Sequence, residues 1–139
     1  MFRLDGRLEN DTVMVSSLRL SLVLLMNNSD YPWLVLVPRK EGVREIYELE
    51  AHDRAALMDE ITAASKVIAG LFKPDKINIG SLGNIVPQLH VHVVGRRQGD
   101  KAWPGPVWGG PPGRPYSEDE IASLSEKLKE EFRKHTQSA

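Results

Sequence analysis

The sequence predicts an α+β domain, an antiparallel sheet of about five strands with one long helix packed on it and a second helix at the C-terminus. Three observations carry that expectation. Apolar residues fall on alternate positions in the first part of the chain, switch to a spacing of three and four between Leu49 and Phe72, and return to alternation ahead of Gly95.

From Thr12 to Met26 the segment TVMVSSLRLSLVLLM places Leu18, Leu20, Leu22, Leu24 and Met26 two apart, the period of a strand. It reads as two strands joined near Ser16 and Ser17. NNSDYP has the composition of a turn, and LVLV at 34–37 is a short buried strand ended by Pro38, which cannot donate to a ladder. Leu57, Ile61, Ala64, Ile68 and Leu71 then mark one face of a helix that stops before Pro74. KINIGSL (76–82) is a strand running into a loop with Gly80, Gly83 and Asn84, and Leu89 to Val94 is the next strand. Beyond Gly95 the chain turns irregular: six of the nine prolines lie from Pro87 to Pro115, five of them after Gly95, and AWPGPVWGG carries two tryptophans, so no regular element is expected there. Ser117 and Glu120 have capping-box spacing, Ile121, Leu124, Leu128 and Phe132 give the stripe of a closing helix, and HTQSA is expected to fray.

Composition narrows the function. A chain of 139 residues suits one domain. No apolar run reaches the length of a membrane helix, and the mixed charges of MFRLDGRLEND do not form a secretory signal. The absence of cysteine excludes disulfides, thiolate catalysis and cysteine-based zinc sites, and fits a reducing compartment, with the cytoplasm as the expected location. A formal charge of -1 argues against a nucleic acid polymer as partner, since holding a phosphate backbone needs an excess of Lys and Arg. Small anionic ligands remain open.

The anomaly is PQLHVHVVGR (87–96), in which Gln88, His90 and His92 alternate with Leu89, Val91 and Val93. On a strand these sets face opposite sides, one apolar and one polar. Three polar groups in a row on one face of a central strand must be solvated or satisfied. They could simply be half-exposed residues on the open side of an antiparallel sheet. His90 and His92 could instead present two imidazoles to a metal, with carboxylates completing the set. In a third reading one neutral imidazole attacks phosphorus while its neighbour donates hydrogen bonds to the oxygens. The glycine-rich loop just upstream favours the third, because its backbone N–H groups can approach an anion.

With QLHVHVV the chain resembles the histidine triad (HIT) family, whose signature is three histidines alternating with apolar residues, except that Gln88 stands in the first histidine position. Asn78 and the Gly/Asn loop precede the motif at nearly the family's distance. LVLVPRK resembles its strand ending in Pro and a basic residue, and AWPGP its Trp-Pro segment. The resemblance covers residues 2–110 with the motif at 88–94, leaves 111–139 as a C-terminal helical extension, and is strongest to the bacterial diadenosine tetraphosphate hydrolase-like branch. It implies a homodimer, no cofactor and no metal, and a hydrolase or nucleotidyl transferase working at the α-phosphate of a nucleotide through a nucleotidyl-histidine. A nucleotide-binding module with little turnover is the alternative it leaves. His90 falls on the nucleophile, His92 on the histidine that contacts phosphate oxygens, and Gln88 on the position that orients the site. Asn27, or Asn28, falls on the residue that grips the ribose, and Asn78 and Asn84 fall near the ligand loop. Trp33 stands where the family commonly has a histidine.

Among other candidates, Arg39, Lys40, Arg44, Arg96 and Arg97 could add positive potential near a phosphate. Trp103 and Trp108 could line a pocket or a dimer interface. His52 reads as a polar residue in the first turns of a helix, and His135 as tail.

Overall fold

The computed structural model describes residues 1–136. A short helix α1 (Gly6–Asp11) precedes strands β1 (Thr12–Ser17), β2 (Ser21–Met26) and β3 (Trp33–Pro38). A single 3-10 turn (Ile46–Glu48) leads into the long helix α2 (Ala51–Phe72), followed by β4 (Lys76–Gly80), β5 (Val91–Arg96) and α3 (Glu118–Thr136). The five strands form one sheet in the order β1-β2-β3-β5-β4, and every neighbouring pair is antiparallel. The α+β architecture expected from the sequence is the one observed.

Alternation sorts the strand residues onto two faces, and both are covered. Val23, Leu25, Leu34, Leu36, Val91 and Val93 point to the helical side and pack with Leu57, Ala64, Val67 and Ile68 of α2. On the opposite side Leu24, Trp33, Val35, Val37 and Val94 pack under Leu8, Val107 and the partly buried Phe2, Leu4 and Trp108. This double burial is why β3 is apolar throughout rather than alternating. α3 is no appendage: Leu128 and Phe132 are each 1% exposed in the same cluster as α2, and side chains of this size contribute roughly 1.5–3 kcal/mol each when buried. The segment expected as an extension therefore completes the core of residues 2–110 as far as Thr136, and the last three residues of the expected fraying tail lie outside the described residues. The helix begins as its spacing predicts, with Ser117 Oγ accepting from Glu120 N and Glu120 Oε1 accepting from Ser117 N.

Three boundaries differ from expectation. The first hairpin turns at residues 18–20, because Ser16 and Ser17 still pair with Val23 and Leu22 after a register shift that begins at Met14. Arg39 fastens that turn by donating to the carbonyls of Leu18 and Arg19. The last strand starts at Val91 rather than Leu89, since Leu89 N leaves the ladder to donate to Val43 O. Helix α1 has no apolar stripe to announce it, burying only Leu8, and is started by Asp5, whose side chain accepts from Arg7 N. No described helix is long and apolar enough to cross a membrane.

Candidate active site

Strand β5 lies between β3 and β4, so residues at its start are flanked on both sides. His92 pairs with Val35 of β3 and Gly80 of β4, and His90 sits just before the ladder begins. Both project away from α2 onto the face covered by the N-terminal arm and the 97–116 loop, and each is only 6% exposed. Their rings meet edge to face with centroids 5.0 Å apart. They line a cleft of about 900 Å³, at the upper end of the range for small-molecule sites.

The two imidazoles are held in opposite tautomers. His90 Nδ1 lies 2.7 Å from the backbone carbonyl of Gln88. A carbonyl only accepts, so Nδ1 carries the hydrogen and, in the neutral ring, Nε2 carries a lone pair. His92 Nδ1 lies 3.0 Å from Trp33 Nε1. An indole nitrogen only donates, so here Nδ1 is the acceptor and Nε2 carries the hydrogen. Burial, with a smaller contribution from His90, pushes the His92 pKa from 6.5 down to about 4, so this ring is neutral at pH 7. One histidine offers a nucleophilic nitrogen and its neighbour a hydrogen-bond donor.

Gln88 acts differently from the orienting residue that the family register implies. Its side chain hydrogen-bonds to neither histidine: Oε1 accepts from Asp5 N at 2.8 Å and Nε2 donates to Arg3 O at 2.8 Å. The amide pins the N-terminal arm to the site strand, and the residue positions His90 through its main-chain oxygen alone.

Asn27, Asn28 and Asn84 all line the cleft. The oxygens of the first two are already engaged, Asn27 Oδ1 by Tyr116 N at 2.8 Å and Asn28 Oδ1 by Asp30 N at 2.9 Å. Their amide NH2 groups are the donors left for a ligand, and Asp11, also on the wall, supplies a carboxylate acceptor. The 107–116 segment is strapped across this end, with Ser29 N and Oγ both donating to Arg114 O. Gly113 makes the strap possible, because a Cβ there would lie 2.0 Å from Asn28 Oδ1. At the other end the ring of Trp108 lies so close to Gly80 that a Cβ would be 3.0 Å from it, and it meets His92 edge to face at 5.5 Å.

Asn78 stands apart from these residues. It faces the same side of the sheet as His92 but does not line the cleft, and its Oδ1 accepts from Arg96 Nη1 at 2.8 Å. Arg96, 1% exposed, also makes a two-pronged bond to Asp100 and stacks over Tyr31 and Trp103. That cluster anchors the root of the 97–116 loop and so fixes the cleft's roof. Trp103 belongs to this framework and Trp108 to the cleft, so the aromatic, proline-rich segment finds its partners within its own chain. Arg39, Lys40, Arg44 and Arg97 do not line the cleft; Arg97 donates to the last carbonyls of α2, and Lys40 pairs with Asp53. The cation that does line it, Lys101, pairs with Asp30 at 3.0 Å, and no sequence period marks either residue. His52 is exposed beside Glu50 and Asp53 in the first turn of α2, and His135 lies in the last turn of α3. Among the described residues no group of three or more His, Cys, Asp or Glu side chains could hold a metal ion, so a site built on His90 and His92 lacks its third ligand.

A polar strand end, a glycine-bearing loop and two alternating histidines over a cleft describe the histidine triad arrangement, and the HIT domain family model matches residues 7–99. The chain is similar to a histidine triad protein from Marinobacter aquaeolei VT8, 48% identical over 96% of this chain and 98% of that one, with a TM-score of 0.93. A histidine triad protein from Sinorhizobium meliloti 1021 is 43% identical over 94% and 97%, with a TM-score of 0.91. One from Bradyrhizobium japonicum is 42% identical over 94% and 98%, also with a TM-score of 0.91. No curated protein matches. The chain belongs to the HIT family, which groups nucleotide-binding hydrolases and transferases with some members that do not catalyse.

Proposed function

We propose that the protein is a nucleotide hydrolase or nucleotidyl transferase of the diadenosine tetraphosphate hydrolase-like kind, working at the α-phosphate through a nucleotidyl-histidine. The observation that carries this reading is the pair of opposed tautomers, with rings 5.0 Å apart on one wall of the cleft. His90 Nε2 forms the bond to phosphorus, and the bond from phosphorus to the bridging oxygen breaks with its electron pair on the departing group. Water then attacks phosphorus, the pair returns to Nε2, and the water proton passes to solvent. His92 Nε2–H donates to a phosphate oxygen in both steps, where the gain is largest as charge builds up. Asn27, with Asn28 and Asp11 beside it, holds the ribose end, and Asn84 lies on the ligand loop.

Trapping tests this. Incubation with an activated adenylate followed by peptide mass mapping is expected to place the adenylyl group on His90. An adduct on His92, or none on a protein that turns the substrate over, overturns the assignment. Binding of mononucleotide with no adduct and no turnover would favour the binding-module alternative.

The same resemblance leads us to place the protein in the cytoplasm as a homodimer. Edge strand β4 supports the pairing, since Ile79 on it and Leu82 and Ile85 just after it are 51%, 45% and 79% exposed, and an apolar unpaired edge invites another strand. Sedimentation at micromolar concentration is expected to give twice the chain mass. A species of 15.6 kDa alone overturns the dimer.

A further inference from the structure

Resting on the catalytic reading above, we propose that Trp33 is a positioning residue that locks His92 as a neutral Nε2–H donor, and that the lock makes the site selective for leaving groups that depart as stable anions over those that depart as amines.

Trp33 heads β3, is 8% exposed, and is itself held edge to face by Tyr31 at 6.3 Å, under the Arg96 guanidinium. Its indole N–H therefore has a fixed direction, and His92 Nδ1 receives it. A proton on Nδ1 would face that N–H head on, so His92 can become an imidazolium only by breaking the bond. The groups around the ring offer no compensation. From β5 it meets the His90 ring, from β3 the indole, from the roof the uncharged Trp108, and from β4 Gly80, which has no side chain. The charged residues of the cleft are Asp11, Asp30 and Lys101, and the last two are spent on each other. Gln88, where the family has a histidine, does not titrate.

The cleft thus has a hydrogen-bond donor beside the phosphate but no side chain poised to hand over a whole proton. A polyphosphate leaving group needs none, because its oxygens carry negative charge comfortably at neutral pH. In a phosphoramidate the bond from phosphorus to nitrogen breaks with the pair on nitrogen, and an alkylamine leaves only if that nitrogen gains a proton. Loss of acid assistance costs typically about 10²–10⁴-fold, which sets the scale of the discrimination.

The test uses two probes with the same adenylyl group, P1,P4-di(adenosine-5′) tetraphosphate and the propylamine phosphoramidate of adenylate, together with ¹⁵N NMR of the histidine rings. The wild-type protein is expected to show His92 with Nε2 protonated and Nδ1 bare down to pH 5, and to prefer the tetraphosphate in kcat/KM by about 100-fold or more. Trp33→His, which restores a titratable group, is expected to narrow that preference at least about tenfold. Trp33→Phe keeps the ring but not the donor, and is expected to let the Nδ1–H tautomer appear. An Nδ1–H tautomer in the wild type overturns the lock whatever the turnover. Equal turnover of the two probes with the lock intact overturns the selectivity. Turnover of neither, with the Nε2–H tautomer seen, overturns the catalytic reading and leaves the lock supported.

Discussion

His90→Gly is expected to lower kcat/KM by roughly 10⁴-fold or more while changing the Kd for adenosine monophosphate only about threefold or less. The asymmetry follows from what the side chain does. Its Nδ1–H is tied to the Gln88 carbonyl, so its one free nitrogen faces the cleft as a lone pair. A lone pair offers a bound phosphate no attraction, only the new bond that forms in the transition state, and interactions confined to the transition state appear in kcat rather than in affinity. On the proposed mechanism His92 differs, since its Nε2–H would donate to the ground-state oxygens as well, and His92→Ala is the internal contrast expected to weaken binding and turnover together. Because His90 lines the cleft, the space its ring leaves opens onto the cleft. Steady-state kinetics and calorimetric titration on the folded variant check the result. A loss of kcat/KM below about tenfold would remove His90 as the nucleophile.

How much of this was legible in the chain depends on the distance over which each feature is encoded. The alternation of Val23, Leu24 and Leu25, and the three-and-four spacing from Leu57 to Leu71, are local periods, and they specify which face of strand and helix is buried without knowledge of the partner. The same holds for QLHVHVV, where alternation alone separates His92 from Val91 and Val93. What alternation does not encode is the identity of the group opposite. Trp33 and His92 are 59 positions apart and meet only because β3 and β5 are neighbours, so the tautomer of His92 is a property of topology. Asn78 is placed by topology in the same way. It sits at the expected sequence distance from the motif, yet two rungs along the ladder from Gly80, beyond the cleft and within reach of Arg96. Lys101, Asp30 and the Gly113 strap come from irregular segments, where no period exists to read. Gln88 is a mixed case: its register was visible, but the arm it holds lies more than eighty residues away.

The buried, neutral state of His92 also makes folding stability depend on pH. In the unfolded chain its imidazole takes up a proton near 6.5, and in the folded protein only near 4. Between those values the unfolded state binds the extra proton, so stability falls as pH falls from 6.5 to 4, and below 4 the loss is complete. A shift of this size corresponds to roughly 3 kcal/mol, a large share of the 5–15 kcal/mol typical of a domain. Asp5 and Asp100, held below their ordinary values chiefly by hydrogen bonds from Arg7 and Arg96, contribute with the same sign but lower down. Their stabilisation is present above the unfolded value of 3.8 and is lost only as pH falls further toward their folded values. Urea unfolding of the wild type and of His92→Gln across pH 7.5 to 4.5 isolates the histidine, because glutamine can still accept from Trp33 but cannot titrate. The wild-type advantage is expected to shrink by about 2–3 kcal/mol over that range. Parallel pH profiles for the two proteins would show that His92 takes up its proton equally in the folded and unfolded states, and the burial that keeps its Nε2–H neutral below pH 6.5 would then be overturned.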